Sequence, residues 1–113
     1  MKISEKYSKE VSLFVKVCGR LAKNMYVTAF GGNLAWKLED DLILITPTQM
    51  NKGDITAEDV VFIDRRGGTV EGRRKPTGEK PMYLKFFEDR PDIVSVLHCH
   101  PPCVCAFAIM KDN

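Results

Sequence analysis

The residues best suited to chemistry lie close together in the last sixth of the chain. His98 and His100 are the only two histidines among 113 residues, and they follow the apolar run 93–97 at a spacing of two. A strand with that spacing turns both imidazoles to one face and Cys99 to the other, with the rings roughly 6–7 Å apart along the chain. Two such imidazoles can converge on one divalent ion, and zinc takes neutral imidazole readily. They do not close a tetrahedral site, so a pair of ordinary hydrogen-bonded histidines stands beside the metal reading. Cys99, Cys103 and Cys105 offer rival ligands. However, Pro101 and Pro102 interrupt them, and their spacing is not that of a zinc finger or ribbon. They read as buried structural thiols.

Glu79 is the next candidate. It follows Pro76-Thr77-Gly78 at an expected helix start, where backbone N–H groups favour an ionised carboxylate. A first-turn glutamate that merely offsets the helix dipole is the plainer explanation. Gly31-Gly32-Asn33 and Thr46-Pro47-Thr48 can each present backbone N–H groups or hydroxyls to a phosphate, or serve simply as turns. Arg73-Arg74-Lys75 reads as a solvated basic loop, with attraction of an anionic substrate as the alternative.

These residues need elements to hold them. Val11, Phe14, Val15, Cys18, Leu21, Ala22 and Met25 recur at steps of three and four, which predicts an amphipathic helix from Tyr7 to Met25 capped by Ser4 or Ser8. Leu34–Leu38 and Leu42–Thr46, separated by Glu39-Asp40-Asp41, predict a hairpin. The polar stretch 47–59 is a loop with room for one helical turn. Val60–Ile63 and Thr69–Glu71 flank the turn signal Arg65-Arg66-Gly67-Gly68 and predict a second hairpin. Glu79–Asp89 predicts a helix with Pro81 in its first turn and Pro91 beyond its end. Ile93–Leu97 reads as the strand that carries the histidines. Cys103–Met110 is apolar at every position and, after Pro101-Pro102, predicts the start of a buried helix needing further protein around it.

Composition narrows the class. Hydrophobic residues at 44% and charged residues at 28% are those of a soluble globular domain, which argues against disorder. A net charge of +2 is too balanced for a general nucleic-acid binder. The N-terminus is charged rather than apolar, so it does not read as a signal peptide. No apolar run approaches the length of a membrane span. The four cysteines therefore read as reduced thiols in a cytoplasmic protein. Residues 1–113 are expected to form a single domain, truncated at its C-terminus.

The order of these pieces is more specific than any one of them. Gly-Gly-Asn precedes a hairpin, then come Ile45-Thr46-Pro47-Thr48, Val61-Phe62-Ile63-Asp64, Pro76-Thr77-Gly78-Glu79, Arg90-Pro91-Asp92 and His98-Cys99-His100. In this order and spacing the sequence resembles the class II aldolase/adducin family from about Val11 to its last residue. The resemblance implies an α/β fold, an α/β/α sandwich around a mainly antiparallel sheet. It implies a zinc-dependent enzyme, with other divalent metals as alternatives, acting on a small phosphorylated sugar and assembling as a homo-oligomer, usually a tetramer. By the same resemblance His98 and His100 bind the metal, and Glu79 both touches it and acts as acid/base. Gly32, Asn33, Thr77 and, more weakly, Thr48 bind phosphate.

Retro-aldol cleavage must stabilise an enediolate, which suits Lewis-acid chemistry beside a proton-carrying carboxylate. The chain departs from the family pattern at several places. Phe30-Gly31 precedes Gly32-Asn33 where hydroxyl residues are common. Ala35, Gln49 and Gly78 replace a frequent Ser, Gly and Ser. The family's third histidine ligand falls downstream of this sequence. Epimerisation or dehydration of a related sugar phosphate is the alternative chemistry, and a non-catalytic adducin-like module the alternative class. A Schiff-base aldolase is less favoured, because no lysine lies in an apolar strand.

Overall fold

The computed structural model describes residues 1–24 and 32–98, together with the backbone of 107–110. Helices α1 (Ile3–Lys6) and α2 (Ser8–Lys23) come first. Strands β1 (Asn33–Glu39), β2 (Leu42–Ile45), β3 (Val61–Ile63) and β4 (Thr69–Glu71) follow, with a 3-10 turn at Lys52–Asp54 between β2 and β3. Helix α3 (Lys80–Asp89), β5 (Ser95–His98) and β6 (Phe107–Met110) complete the order. The strands form one six-stranded sheet in the order β4-β3-β2-β1-β5-β6, and every neighbouring pair is antiparallel.

The β2 run Leu42-Ile43-Leu44-Ile45 is buried at every position, because the sheet is covered on both faces. Leu42 and Leu44 face α2, whose stripe Val11, Phe14 and Cys18 packs against them with Leu34, Val60 and Phe62. Ile43 and Ile45 face α3, where Tyr83 and Phe87 join Ala35, Val61, Ile63 and Val96. This two-sided packing is the expected α/β/α sandwich.

Three details differ from the sequence reading. The first helix is broken at Tyr7, and neither Ser4 nor Ser8 caps it by its side chain. Glu71 does that work from β4 instead, accepting the Ile3 and Ser4 N–H groups at 2.8 and 3.0 Å. The predicted C-terminal helix is also corrected. Phe107–Met110 is a strand, with Phe107 opposite His98 and Met110 opposite Ser95. An uninterrupted apolar run fits a buried strand as well as a buried helix, and periodicity alone does not separate them. Met25, Gly31, Cys99, His100, Cys103 and Cys105 lie outside the described residues.

Candidate active site

Strand pleat and helix start bring the first three site residues together. Asn33 opposes His98 across the β1–β5 ladder. Directly opposed residues share a face, and Asn33 lies two residues from Ala35 just as His98 lies two from Val96. Both therefore point to the α3 side. Glu79 occupies the N-cap position of α3, directly before Lys80 and Pro81. Its carboxylate Oε1 accepts the Asn33 side-chain amide at 2.6 Å and lies 2.9 Å from His98 Nδ1. Glu79 and His98 keep 38% and 23% of their side-chain surface, so the pair remains reachable by a small molecule. Glu79 does not cap the helix through its side chain. That leaves its carboxylate turned toward the sheet.

Two Pro-Thr segments are joined beneath this pair. Pro47 opposes Pro76 in an isolated antiparallel bridge. Thr48 N–H donates to the Lys75 carbonyl at 2.9 Å, and Thr77 N–H donates to the Thr46 carbonyl at 3.0 Å. These bonds flank the proline pair, which occupies the one kind of antiparallel position where no N–H is needed. Neither proline costs the ladder a bond. Thr77 is buried, and its hydroxyl accepts the Glu79 N–H at 3.3 Å, fixing the residue that carries the carboxylate. Thr48 is half-buried, while Gly32 is buried with φ +82°, a conformation that glycine adopts without strain. Gly32 and Asn33 thus sit at the same end of the sheet as Glu79, and Thr48 enters through the bridge to 75–77.

The basic loop is held rather than loose. Arg73 Nη2 and Arg74 Nε both reach Asp59 Oδ1, at 3.0 and 3.1 Å. Burial opposes ionisation of Asp59, but the Thr56 N–H and hydroxyl together with Arg74 outweigh it and hold the carboxyl below the usual aspartate range.

Two residues here have roles the sequence reading did not give them: Thr46, named only within the Thr46-Pro47-Thr48 segment, and Lys52, not singled out at all. Thr46 is fully buried, and its hydroxyl bonds Asn33 Oδ1 at 3.1 Å. Lys52 is only 2% exposed, and its Nζ donates to the Met50 carbonyl at 3.2 Å. Burial pushes its ammonium below the usual lysine range, with the nearby Cys18 and Glu79 acting in the opposite sense. Its place in the polar stretch Asn51-Lys52-Gly53-Asp54 gave no hint of this. It is the desolvated lysine that the Schiff-base alternative lacked.

The donor set suits a divalent ion. Glu79 and His98 supply a carboxylate oxygen and an imidazole nitrogen side by side, both of the kind zinc takes. Among the described residues no cluster of three or more His, Cys, Asp or Glu side chains forms. His100 lies outside them.

Residues 12–113 match the family described as Class II Aldolase and Adducin N-terminal domain, and the chain belongs to that family. It is 35% identical over 101 residues to the L-fuculose phosphate aldolase of Methanococcus maripaludis strain S2, a match covering 89% of this chain and 54% of the relative. The methylthioribulose-1-phosphate dehydratase of Sulfurihydrogenibium sp. is 31% identical, covering 85% of this chain and 47% of its own. Among solved structures, an L-fuculose 1-phosphate aldolase superposes with a TM-score of 0.75 at 31% identity, over 81% of this chain and 44% of that one. The chain spans about half the length of the curated relatives it matches. Among the described residues no helix is long and apolar enough to cross a membrane.

Proposed function

We propose that the chain contributes the active-site carboxylate and the first metal ligands of a zinc-dependent class II aldolase that cleaves a small sugar phosphate. The observation that carries this reading is the convergence of Asn33, Glu79 and His98 in one hydrogen-bonded group at the end of the central strands. His98, His100 and Glu79 would hold the metal. When bound, that ion supplies Lewis-acid stabilisation of the negative charge that develops on the substrate oxygens.

The chain's own groups do the rest. Glu79 takes a substrate proton as the carbon–carbon bond breaks and returns one to the carbon fragment. The Asn33 amide holds Oε1 by donation, so the carboxylate meets the substrate in one orientation. Gly32, Asn33, Thr48 and Thr77 would bind the phosphate, Asn33 through the amide hydrogen that Glu79 leaves free. In this reading the protein is a cytoplasmic homo-oligomer, with a tetramer as the expected state.

A second reading keeps the site and changes the reaction to dehydration or epimerisation of a sugar phosphate. The named dehydratase among the relatives favours it. Turnover of a panel of ketose 1-phosphates, with aldehyde and dehydrated products assayed separately, distinguishes the two.

The deciding experiment uses the full-length protein. Chelation should abolish turnover and added zinc restore it, and borohydride in the presence of substrate should trap no adduct. Glu79→Gln should lower kcat by roughly 10²–10⁴-fold. Activity that survives chelation while borohydride modifies Lys52 would transfer the chemistry to the lysine. Full turnover by Glu79→Gln would remove Glu79 from the mechanism.

A further inference from the structure

Thr46 occupies an unusual place in the β1–β2 ladder. Ala35 opposes Ile45, so the next rung pairs Leu34 with Thr46. Thr46 N–H donates to the Leu34 carbonyl at 3.1 Å, as a ladder residue should. The return bond is different. Leu34 N–H donates to the Thr46 hydroxyl, at 3.3 Å, and the Thr46 carbonyl takes Thr77 N–H instead. The side chain has replaced its own carbonyl in the ladder and released that carbonyl to the segment leading into Glu79.

The same hydroxyl has a proton to donate, and it goes to Asn33 Oδ1 at 3.1 Å. An asparagine amide presents either an acceptor or a donor, depending on which way it is turned. Glu79 Oε1, which can only accept, draws Nδ2 to itself at 2.6 Å, and the Thr46 hydroxyl, already accepting Leu34 N–H, completes that orientation by donating to Oδ1. Turned over, Asn33 would set its carbonyl oxygen against the carboxylate. One buried side chain therefore controls both routes to Glu79, the amide that holds its carboxylate and the backbone that carries it.

We propose that Thr46 is a positioning residue for the active site, acting on Glu79 through the fixed orientation of the Asn33 amide and the Thr77 backbone. The proposal rests on Glu79 being the working carboxylate, as in the function proposed above. Valine matches threonine in shape but leaves Leu34 N–H without an acceptor in a buried site, so Thr46→Val carries a folding risk. Thr46→Cys keeps a weak donor and acceptor of similar size, and Thr46→Ser keeps the hydroxyl.

In the full-length protein Thr46→Cys should lower kcat by roughly ten- to a hundred-fold with little change in KM, and Thr46→Ser should recover most of the loss. In a double variant with Asn33→Ala the two effects should add only in part, because one of the two routes from Thr46 to Glu79 runs through Asn33. Asparagine-selective 15N labelling gives a readout independent of turnover. The Asn33 side-chain NH2 signal, assigned by its loss in Asn33→Ala, should shift in Thr46→Cys and return in Thr46→Ser. An unmoved Asn33 signal, or kcat effects that add fully, would overturn the proposal. If no sugar phosphate is turned over but the Asn33 signal still shifts as expected, the functional reading fails and the positioning contact stands.

Discussion

Asp59→Asn tests whether the basic loop is fastened to the sheet rather than merely solvated. Asp59 Oδ2 accepts both the N–H and the hydroxyl of Thr56 at 3.0 Å, while Oδ1 takes Arg73 and Arg74. Asparagine has one oxygen where aspartate has two. Its NH2 must face either the two guanidinium groups, which only donate, or Thr56, whose N–H only donates although its hydroxyl can turn to accept. Losing the Thr56 side costs about 1.5 kcal/mol, because those bonds go to a buried, charged acceptor. The arginine side is worth less, about 0.5 kcal/mol for each pair, since Arg73 and Arg74 keep 61% and 42% of their side-chain surface. Loss of the charge acts on both sides, so the expected total is about 2 kcal/mol at neutral pH.

Urea unfolding of the full-length protein at neutral pH, followed by far-UV circular dichroism, measures it. The pH dependence gives a second check. The folded carboxyl ionises below its unfolded value of roughly 3.9, so its contribution is complete above that pH. It disappears as the pH falls through the folded value. Wild type and Asp59→Asn should therefore converge in strongly acidic solution. A difference below about 0.5 kcal/mol at neutral pH, or a constant difference down through the acid range, would refute the reasoning.

Two further changes probe the surroundings. Gly72 has φ +133°, and a Cβ there would meet the Val60 carbonyl oxygen at 3.1 Å and Val61 Cα at 3.2 Å. Gly72→Ala should cost about 1–3 kcal/mol in the same urea assay, because the obstructing atoms are backbone. The Tyr83 hydroxyl is buried with no hydrogen-bond partner among the described residues. Burial, then the charge of Glu79, pushes its pKa up. Tyr83→Phe should leave stability unchanged or raise it by about 1 kcal/mol, and a loss of that size would reveal a partner elsewhere.

Much of the fold was legible because its local signals agree. The stripe Val11, Phe14 and Cys18 is the buried face of α2, and β4 runs from Thr69 to Glu71 as its turn signals predict. The one-turn allowance in the polar stretch 47–59 is met by Lys52–Asp54. The failures have a common cause. An eight-residue apolar run carries no period, so Phe107–Met110 could not be recognised as a strand that pairs with β5. Glu71 caps α1 from 67 residues away, and no local pattern records such a partner. In the site, Glu79 and His98 were visible as residue types able to do chemistry. Lys52 matters through burial, which its polar neighbours conceal, and Thr46 through bonds to Asn33 and Thr77 that no local pattern records.

The buried polar groups are arranged differently on the two faces of the sheet. On the α2 face the core around Phe14, Leu44 and Phe62 is built of apolar side chains, and the buried polar group beside Cys18 is Lys52, which bonds the Met50 carbonyl. Buried Asn33, Thr46 and Thr77 instead gather where β1, β2 and the start of α3 meet, each hydrogen-bonded to Glu79 or to another of the three. Replacing such groups by well-packed apolar ones is often neutral or stabilising, so their burial is poorly explained by stability alone. A fully satisfied polar network does something an apolar core cannot, which is to fix which atom of a carboxylate faces which donor. That constraint matters only if the carboxylate has a task that depends on its orientation. The proton-transfer role proposed for Glu79 is such a task, and a glutamate that served only to start a helix would have no use for the constraint.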